Sequence, residues 1–184
     1  MGLERLLKQA KDHLTKGEIA KALELYSTIV NENPQDGMLH VHRAAAYRKA
    51  GYMKAAMEDL EEAIFLDPMC DTAHLELARL YCQQGLYDQA LEAGKTVVRI
   101  YESAEGYTAV AHIYNRLGQA DQSLAYAQRA LFFDKKHVPT LTEQIRAVSL
   151  LLKFPIRDLR WSYDTIREGP LSREIFKKEV PGGN

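Results

Sequence analysis

The amino-acid sequence predicts an all-α protein built from repeated pairs of antiparallel helices. Glycines recur at an almost constant spacing, because Gly17, Gly51 and Gly85 are equally spaced and Gly118 follows only one position sooner than that spacing requires. A tyrosine stands four residues before three of these glycines, at Tyr47, Tyr81 and Tyr114. Between the glycines, apolar residues recur at the spacing of one helix face. A fixed period of this kind is typical of repeat architectures.

Each repeat is predicted to contain two helices and two turns. The apolar runs on either side of the glycine are about thirteen residues long, which is an ordinary helix length. The glycine marks the place where the first helix stops and the chain reverses, a left-handed position that favours a residue without a Cβ atom. Pro34 and Pro68 stand just beyond the second helices of their repeats, where a proline cannot continue a helix.

Small residues recur at one position of each helix, which indicates close packing within each pair. In the first helices these residues are Ala10, Ala44, Ala78 and Ala111, and in the second helices they are Ala22, Ala56, Ala90 and Ser123. Larger residues are expected to fill the volume around the crossing, namely Tyr26, Leu60, Leu77 and Val110.

The pattern A-x-x-Y-x-x-x-G-x-[YM]-x-x-A occurs from Ala44 to Ala56 and again from Ala78 to Ala90. In this pattern the sequence resembles the tetratricopeptide repeat family, over four repeats at about 3–36, 37–70, 71–103 and 104–137. The resemblance implies a right-handed superhelical solenoid of antiparallel helix pairs. It also implies that the first helices line a concave groove and that the second helices lie outside.

A repeat array leaves an apolar face at its last pair, and residues 138–154 are predicted to cover that face as a capping helix. The predicted array with its cap therefore extends over residues 1–154, and residues 155–184 form a C-terminal tail. The covering residues would be Leu141, Ile145, Val148 and Leu152. The tail contains Trp161 and several apolar residues, which indicates helical segments packed on the cap. Two alternatives remain: the tail occupies a groove of its own or a neighbouring molecule, or it is disordered.

Composition and motifs argue against several functional classes. The 184 residues carry a formal net charge of -1, whereas nucleic-acid-binding and polybasic membrane proteins normally have a positive excess. Cys70 and Cys82 are too few for a disulfide framework, and with no apparent signal segment they favour a cytoplasmic location. The six histidines are scattered, and no nucleophile motif or phosphate loop is present. We therefore expect no enzyme, no catalytic residue, no metal and no cofactor.

The family resemblance implies which positions of each first helix face the concave groove. The fifth position holds Leu7, Val41, Leu75 and Thr108, a mostly apolar ridge. Basic side chains follow beside it, and the only acids at the groove positions are Glu4 and Glu105. Glu58, Asp59, Glu61 and Glu62, in contrast, crowd an outer helix. The predicted partner-binding residues are Leu7, Lys11, Val41, Arg48, Leu75, Arg79, His112, Arg116 and Arg146.

These residues predict an adaptor or assembly factor that binds a peptide or helix with acidic and apolar residues. Leu7, Val41 and Leu75 would anchor the ligand, and the basic residues would pair with its acids. Two alternatives stay open: the basic excess is an ordinary solvated surface, or the protein is a self-associating scaffold, such as a homodimer, whose tail docks on a neighbour. The carboxylate clamp of heat-shock co-chaperones is not matched, since only Lys11 fits its pattern.

Overall fold

The computed structural model describes residues 2–137, 139–140, 142–143 and 146–147, and these residues form helices and turns with no strand. The chain divides into two compact units, of which the N-terminal unit ends at Tyr101 and the C-terminal unit begins at Glu102. The N-terminal unit contains α1 (Leu3–Thr15), α2 (Ile19–Glu32), α3 (Gly37–Ala50), α4 (Met53–Leu66), α5 (Asp71–Gln83) and α6 (Tyr87–Ile100). The C-terminal unit contains α7 (Ala104–Arg116) and α8 (Ala120–Phe133).

The predicted helix pairs are confirmed, and each pair turns at the predicted glycine. All four of these glycines have a positive φ, between 74° at Gly118 and 83° at Gly51. At Gly51 the amide of Tyr52 donates to the carbonyl of Tyr47 at 2.9 Å, which satisfies one of the last carbonyls of α3. A residue with a Cβ atom would be strained in this left-handed conformation.

The small-residue positions lie in the core of each unit, as predicted. The alanines at these positions are all buried, and so is Ser123, whose hydroxyl donates to the carbonyl of Ala111 at 2.9 Å. This bond joins α8 to α7 and satisfies a polar group that would otherwise be costly to bury. Tyr26, Leu60, Leu77 and Val110 are buried as well, so the sequence identified the main packing residues of the helix crossings.

His40 and His74 occupy equivalent positions near the start of α3 and α5, and both have structural partners. In each case Nε2 donates to the carbonyl of the proline that closes the preceding repeat, with a distance of 3.1 Å to Pro34 and 3.1 Å to Pro68. The two histidines therefore tie the beginning of one repeat to the end of the previous one.

Asp59 departs from the sequence-based expectation, because it does not lie on the outer surface of α4. Its side chain is buried and accepts two hydrogen bonds from Arg43, at 2.8 and 2.6 Å, and Nδ1 of His40 lies 3.3 Å from Oδ1 of Asp59. The hydrogen bond to Asp59 raises the pKa of Arg43. This ion pair joins α3 to α4, whereas the neighbouring carboxylates Glu61 and Glu62 are exposed.

In the C-terminal unit, residues beyond α8 pack against α7 and α8. Thr140 is buried, its hydroxyl forms a hydrogen bond with that of Thr108, and it lies 2.7 Å from Nδ1 of His137. Ala147 joins a buried cluster with Ala120 and Leu124. The covering residues predicted for the cap, at positions 141, 145, 148 and 152, lie outside the described residues, as does the tail. The predicted division into an array and a tail stays a prediction.

Candidate functional site

The predicted groove residues of the N-terminal unit lie on α1, α3 and α5. Lys11 is exposed on α1, while Leu7 is half-buried against the core. Val41 is 4% exposed and Leu75 is 7% exposed, so both are largely part of the interior. The apolar ridge therefore offers a ligand little surface beyond Leu7.

Arg48 and Arg79 converge on the carboxylate of Glu76, which is not among the predicted groove residues. Nε of Arg48, on α3, lies 3.3 Å from Oε2 of Glu76, and Nη1 of Arg79 donates to Oε1 of Glu76 at 2.5 Å. We call Arg48, Glu76 and Arg79 the Glu76 cluster. The Nε of Arg48 and Oε2 of Glu76 are both inaccessible to solvent and form no well-directed hydrogen bond with a described residue. This ion pair therefore leaves hydrogen-bonding capacity unused.

Lys11 on α1 and His42 on α3 lie close enough to interact electrostatically. Burial lowers the pKa of His42, and the positive charge of Lys11 lowers it further, while the negative charge of Asp36 opposes the shift. His42 was not among the predicted site residues. Its ring is a reporter of the charge near Lys11, because an added negative charge would favour its protonated form.

The C-terminal unit contains a second carboxylate cluster, centred on Glu143. His112 on α7 places Nδ1 3.2 Å from Oε1 of Glu143, and Arg146 forms an ion pair with the same carboxylate. Nδ2 of Asn115 donates both to Oε2 of Glu143 at 2.8 Å and to its backbone carbonyl at 2.9 Å. We call these four residues the Glu143 cluster.

Glu143 is ionised in the Glu143 cluster in spite of its burial. Burial by itself would raise the pKa of this carboxyl, but hydrogen bonds from His112 and Asn115, with the positive charges of His112 and Arg146, lower the pKa below its ordinary value of 4.5. The cluster attaches the helical residues around 143 to α7. Arg116, the remaining predicted site residue, is exposed at the end of α7.

Sequence reasoning identified the basic members of the two clusters and missed both acids. One signal was available, since Glu76 and Arg79 are three residues apart in a predicted helix, as are Glu143 and Arg146, and such pairs interact. The partners on the preceding first helix, Arg48 and Asn115, stand far earlier in the sequence, with a whole second helix between each of them and its glutamate. Their contacts depend on how neighbouring helices pack, which local spacing does not reveal.

Two classes of site are not found in the part of the chain that the structure describes. Among residues 2–137 and the described positions to 147, no three His, Cys, Asp or Glu side chains are grouped so that they could hold a metal ion. Within the same residues, no helix is both long enough and apolar enough to cross a membrane.

Models of the tetratricopeptide repeat match residues 7–68, 53–105 and 104–137 of this chain. The TPR repeat-containing protein YpiA of Bacillus subtilis is 28% identical over 126 residues, which are 68% of this chain and 30% of that protein. A tetratricopeptide repeat and J domain-containing co-chaperone, DNJ1 of Fusarium oxysporum, is 35% identical over 88 residues, 48% of this chain and 17% of that protein. The chain thus spans less than a third of either relative.

Solved structures show the same architecture. TTC0263, described as a thermophilic TPR protein of Thermus thermophilus, is 26% identical, with a TM-score of 0.70 over 83% of this chain and 82% of that one. A structure of MamA, 24% identical, has a TM-score of 0.65 over 74% of this chain and 81% of its own. Together with the helix pairs and their glycine turns, these matches show an all-α solenoid fold. The chain belongs to the tetratricopeptide repeat family, whose members are generally protein-interaction modules.

Proposed function

We propose that this protein is a non-catalytic adaptor or assembly factor that binds a peptide or helix with acidic and apolar residues along its first helices. The observation that carries the proposal is the charge of this surface in the N-terminal unit. Lys11, Arg48, Lys49 and Arg79 stand against Glu4 and Glu76, which leaves four minus two, or two, positive charges in excess. The whole chain, in contrast, has a formal net charge of -1.

The Glu76 cluster supplies the ligand-binding chemistry of this proposal. Its two arginines come from different first helices and meet at one glutamate. Glu76 restricts both arginine side chains before the ligand binds. The two side chains therefore lose less conformational entropy on binding. A ligand carboxylate would bind donors of Arg48 that Glu76 does not use, because a guanidinium carries five N–H groups in a planar fork.

The apolar part of the ligand would contact Leu7, which is the most accessible member of the predicted ridge. Val41 and Leu75 would add little to that contact, since little of their surface remains to be buried. In the C-terminal unit, His112, Arg116 and Arg146 would form a binding surface of that unit, with Glu143 already compensating part of their charge. The names of co-chaperone relatives do not identify the ligand, because the clamp residues are not shared apart from Lys11.

A cytoplasmic location is part of the same proposal. Cys70 and Cys82 are both free and buried, which fits a compartment that keeps thiols reduced. Burial raises the pKa of the Cys70 thiol, so its reactive thiolate form is suppressed. The tail, on which the self-association alternative depends, lies outside the described residues.

The proposal is tested by binding of a fluorescent peptide of about ten residues that combines glutamate and leucine, measured by anisotropy. We expect Arg48→Met/Arg79→Met to weaken binding about tenfold or more, because charge-assisted contacts are lost. Lys95→Met, which removes an exposed positive charge from α6, is the matched control and should leave the affinity unchanged. Equal weakening by both changes would indicate nonspecific charge attraction and contradict the proposal.

The histidine reporter gives an independent measurement on the whole chain. Binding of the acidic peptide beside Lys11 should raise the pKa of His42, which an NMR titration of its ring protons detects. If the pKa of His42 does not change at saturating peptide, the ligand lies away from α1 and α3, and the proposed groove is wrong.

A further inference from the structure

A second surface of the N-terminal unit exposes large apolar side chains that the fold does not use. Phe65, near the end of α4, is 79% exposed, and Met69, in the following turn, is 63% exposed. Exposed Met38 belongs to the same place, because its sulfur lies 3.9 Å from that of Cys70, the residue next to Met69. We call Met38, Phe65 and Met69 the Phe65 edge.

The helix geometry makes Phe65 unusual at its position. Glu58, Glu61, Glu62 and Phe65 follow one another at intervals of three, one and three residues, so they share one exposed stripe of α4. The opposite stripe holds the buried residues Ala56, Leu60 and Ala63. On an outer stripe of this kind a polar residue is expected, and an exposed phenylalanine contributes nothing to the core.

The segment of chain that carries Phe65 and Met69 is acidic at its exposed positions. No lysine or arginine occurs between Lys54 and Arg79, whereas this interval holds Glu58, Glu61, Glu62 and Asp67 at exposed positions. The carboxylates of Glu61 and Glu62 have no ion pair with any residue that the structure describes. The field of Glu61 reaches its neighbours: burial raises the pKa of Tyr81, and the negative charge of Glu61 raises it further.

We propose that the Phe65 edge is a second docking surface, which binds a basic amphipathic helix of a partner protein. Phe65 is the anchor, because a large aromatic side chain that moves from water into a partner's apolar face contributes most to such a contact. Lysine or arginine residues of the partner pair with Glu61 and Glu62 on α4 and with Asp67 in the turn. Because the proposed groove is basic and the segment around the Phe65 edge is acidic, one molecule could hold two chemically different partners.

Charge complementarity selects the occupant. An acidic helix, of the kind proposed for the groove, would be repelled by the exposed carboxylates, and a purely apolar helix would leave those carboxylates unpaired. A basic helix with one apolar stripe would pair with the carboxylates and would also cover the exposed apolar side chains. Because the charges are exposed, they set the association rate and specificity, and the affinity weakens as salt screens them.

The chain offers a matched control in its other unit. Phe132 on α8 is 76% exposed and occupies the same position of its helix as Phe65. Where α4 has Glu61 and Glu62, α8 has Gln128 and Arg129. Phe132 therefore reproduces the exposed ring, and Asp134 reproduces the aspartate of the turn, without the two glutamates.

The experiment uses the whole chain and a synthetic helical peptide of leucine and lysine, about 18 residues or five turns long, with binding measured by fluorescence anisotropy. Phe65→Ser should weaken binding about tenfold or more, and Glu61→Lys/Glu62→Lys should do the same. Phe132→Ser should leave the affinity unchanged. An otherwise identical peptide with glutamate in place of lysine should not bind this edge.

Three results would overturn the proposal. Equal loss in Phe65→Ser and Phe132→Ser would mean nonspecific adsorption to exposed rings, and loss only in the charge-reversal variant would mean nonspecific charge attraction. A concentration-dependent mass of the free chain that Phe65→Ser abolishes would assign the edge to a second copy. The groove variant Arg48→Met/Arg79→Met should still bind the basic peptide, so failure of the groove proposal and failure of this one are distinguishable.

Discussion

The Glu76 cluster and the Glu143 cluster place a glutamate at corresponding positions, yet they surround it with different side chains. Glu76 receives Arg48 from the preceding first helix and Arg79 from its own helix. Glu143 receives Asn115 and His112 from the preceding first helix and Arg146 from its own segment. The first cluster therefore has two arginines beside its glutamate, whereas the second has one arginine, one histidine and one amide.

Burial distinguishes the two glutamates but not their basic partners. The side chain of Glu143 is 7% exposed and that of Glu76 is 15% exposed, whereas Arg79 is 41% exposed and Arg146 is 44% exposed. The Glu143 cluster attaches residues beyond α8 to α7, and the Glu76 cluster joins α3 to α5.

The largest predicted effect is on the stability of the C-terminal unit. Glu143→Ala should lower the free energy of unfolding by about 3 kcal/mol, because it leaves Asn115 and His112 without their buried acceptor. Glu76→Ala should cost about 1 kcal/mol, since the side chains of Arg48 and Arg79 are 30% and 41% exposed and can reorient towards water. Urea unfolding measures both variants, and amide hydrogen exchange in α7 measures the effect of Glu143→Ala. Similar losses in the two variants would contradict this difference between the two clusters.

The second prediction concerns acid. The pKa of Glu143 is lower in the folded chain than its ordinary value of 4.5, so the stabilisation is complete above that value and is lost as the pH falls through the lower native pKa. The free energy of unfolding of the wild-type chain should therefore fall as the pH is lowered below 4.5. Glu143→Gln should reduce this dependence, and an unchanged acid profile in that variant would exclude Glu143 as its source.

The third prediction converts one cluster into the other. Arg48→Asn gives the Glu76 cluster the residue that the Glu143 cluster has at the corresponding position, and it removes one positive charge. Binding of the acidic peptide should weaken about tenfold, while the free energy of unfolding changes by less than about 1 kcal/mol. Anisotropy and urea unfolding separate the two quantities. A loss of stability without a loss of affinity would make Arg48 structural.

The smallest effect is electrostatic and needs no ligand. Lys11→Met should raise the pKa of His42, because the nearby positive charge that disfavours the imidazolium is removed. NMR titration of the His42 ring measures the shift, with Lys95→Met as the control. A pKa that does not move would place Lys11 too far from His42 to belong to one ligand surface.

Sequence spacing predicted the helix pairs because their causes are local. A glycine with positive φ, an alanine at each crossing and a proline after the second helix act within one repeat, and the repetition makes each signal visible several times. The basic residues of the site were also visible as types at given positions. Whether these basic residues pair with acids was not visible, since the sequence does not show that Arg48 reaches a glutamate on the first helix of the next repeat.

Asp59 and Phe65 illustrate the same limit on one helix. By residue type alone, Asp59 belongs with the exposed glutamates of α4 and Phe65 belongs in the core. The structure places Asp59 in the interior with Arg43 and leaves Phe65 in solvent. The sequence by itself determined the repeated helix pairs, through local backbone and size constraints. Only the tertiary structure decided which charges are compensated, because that depends on contacts between helices whose distances no local pattern encodes.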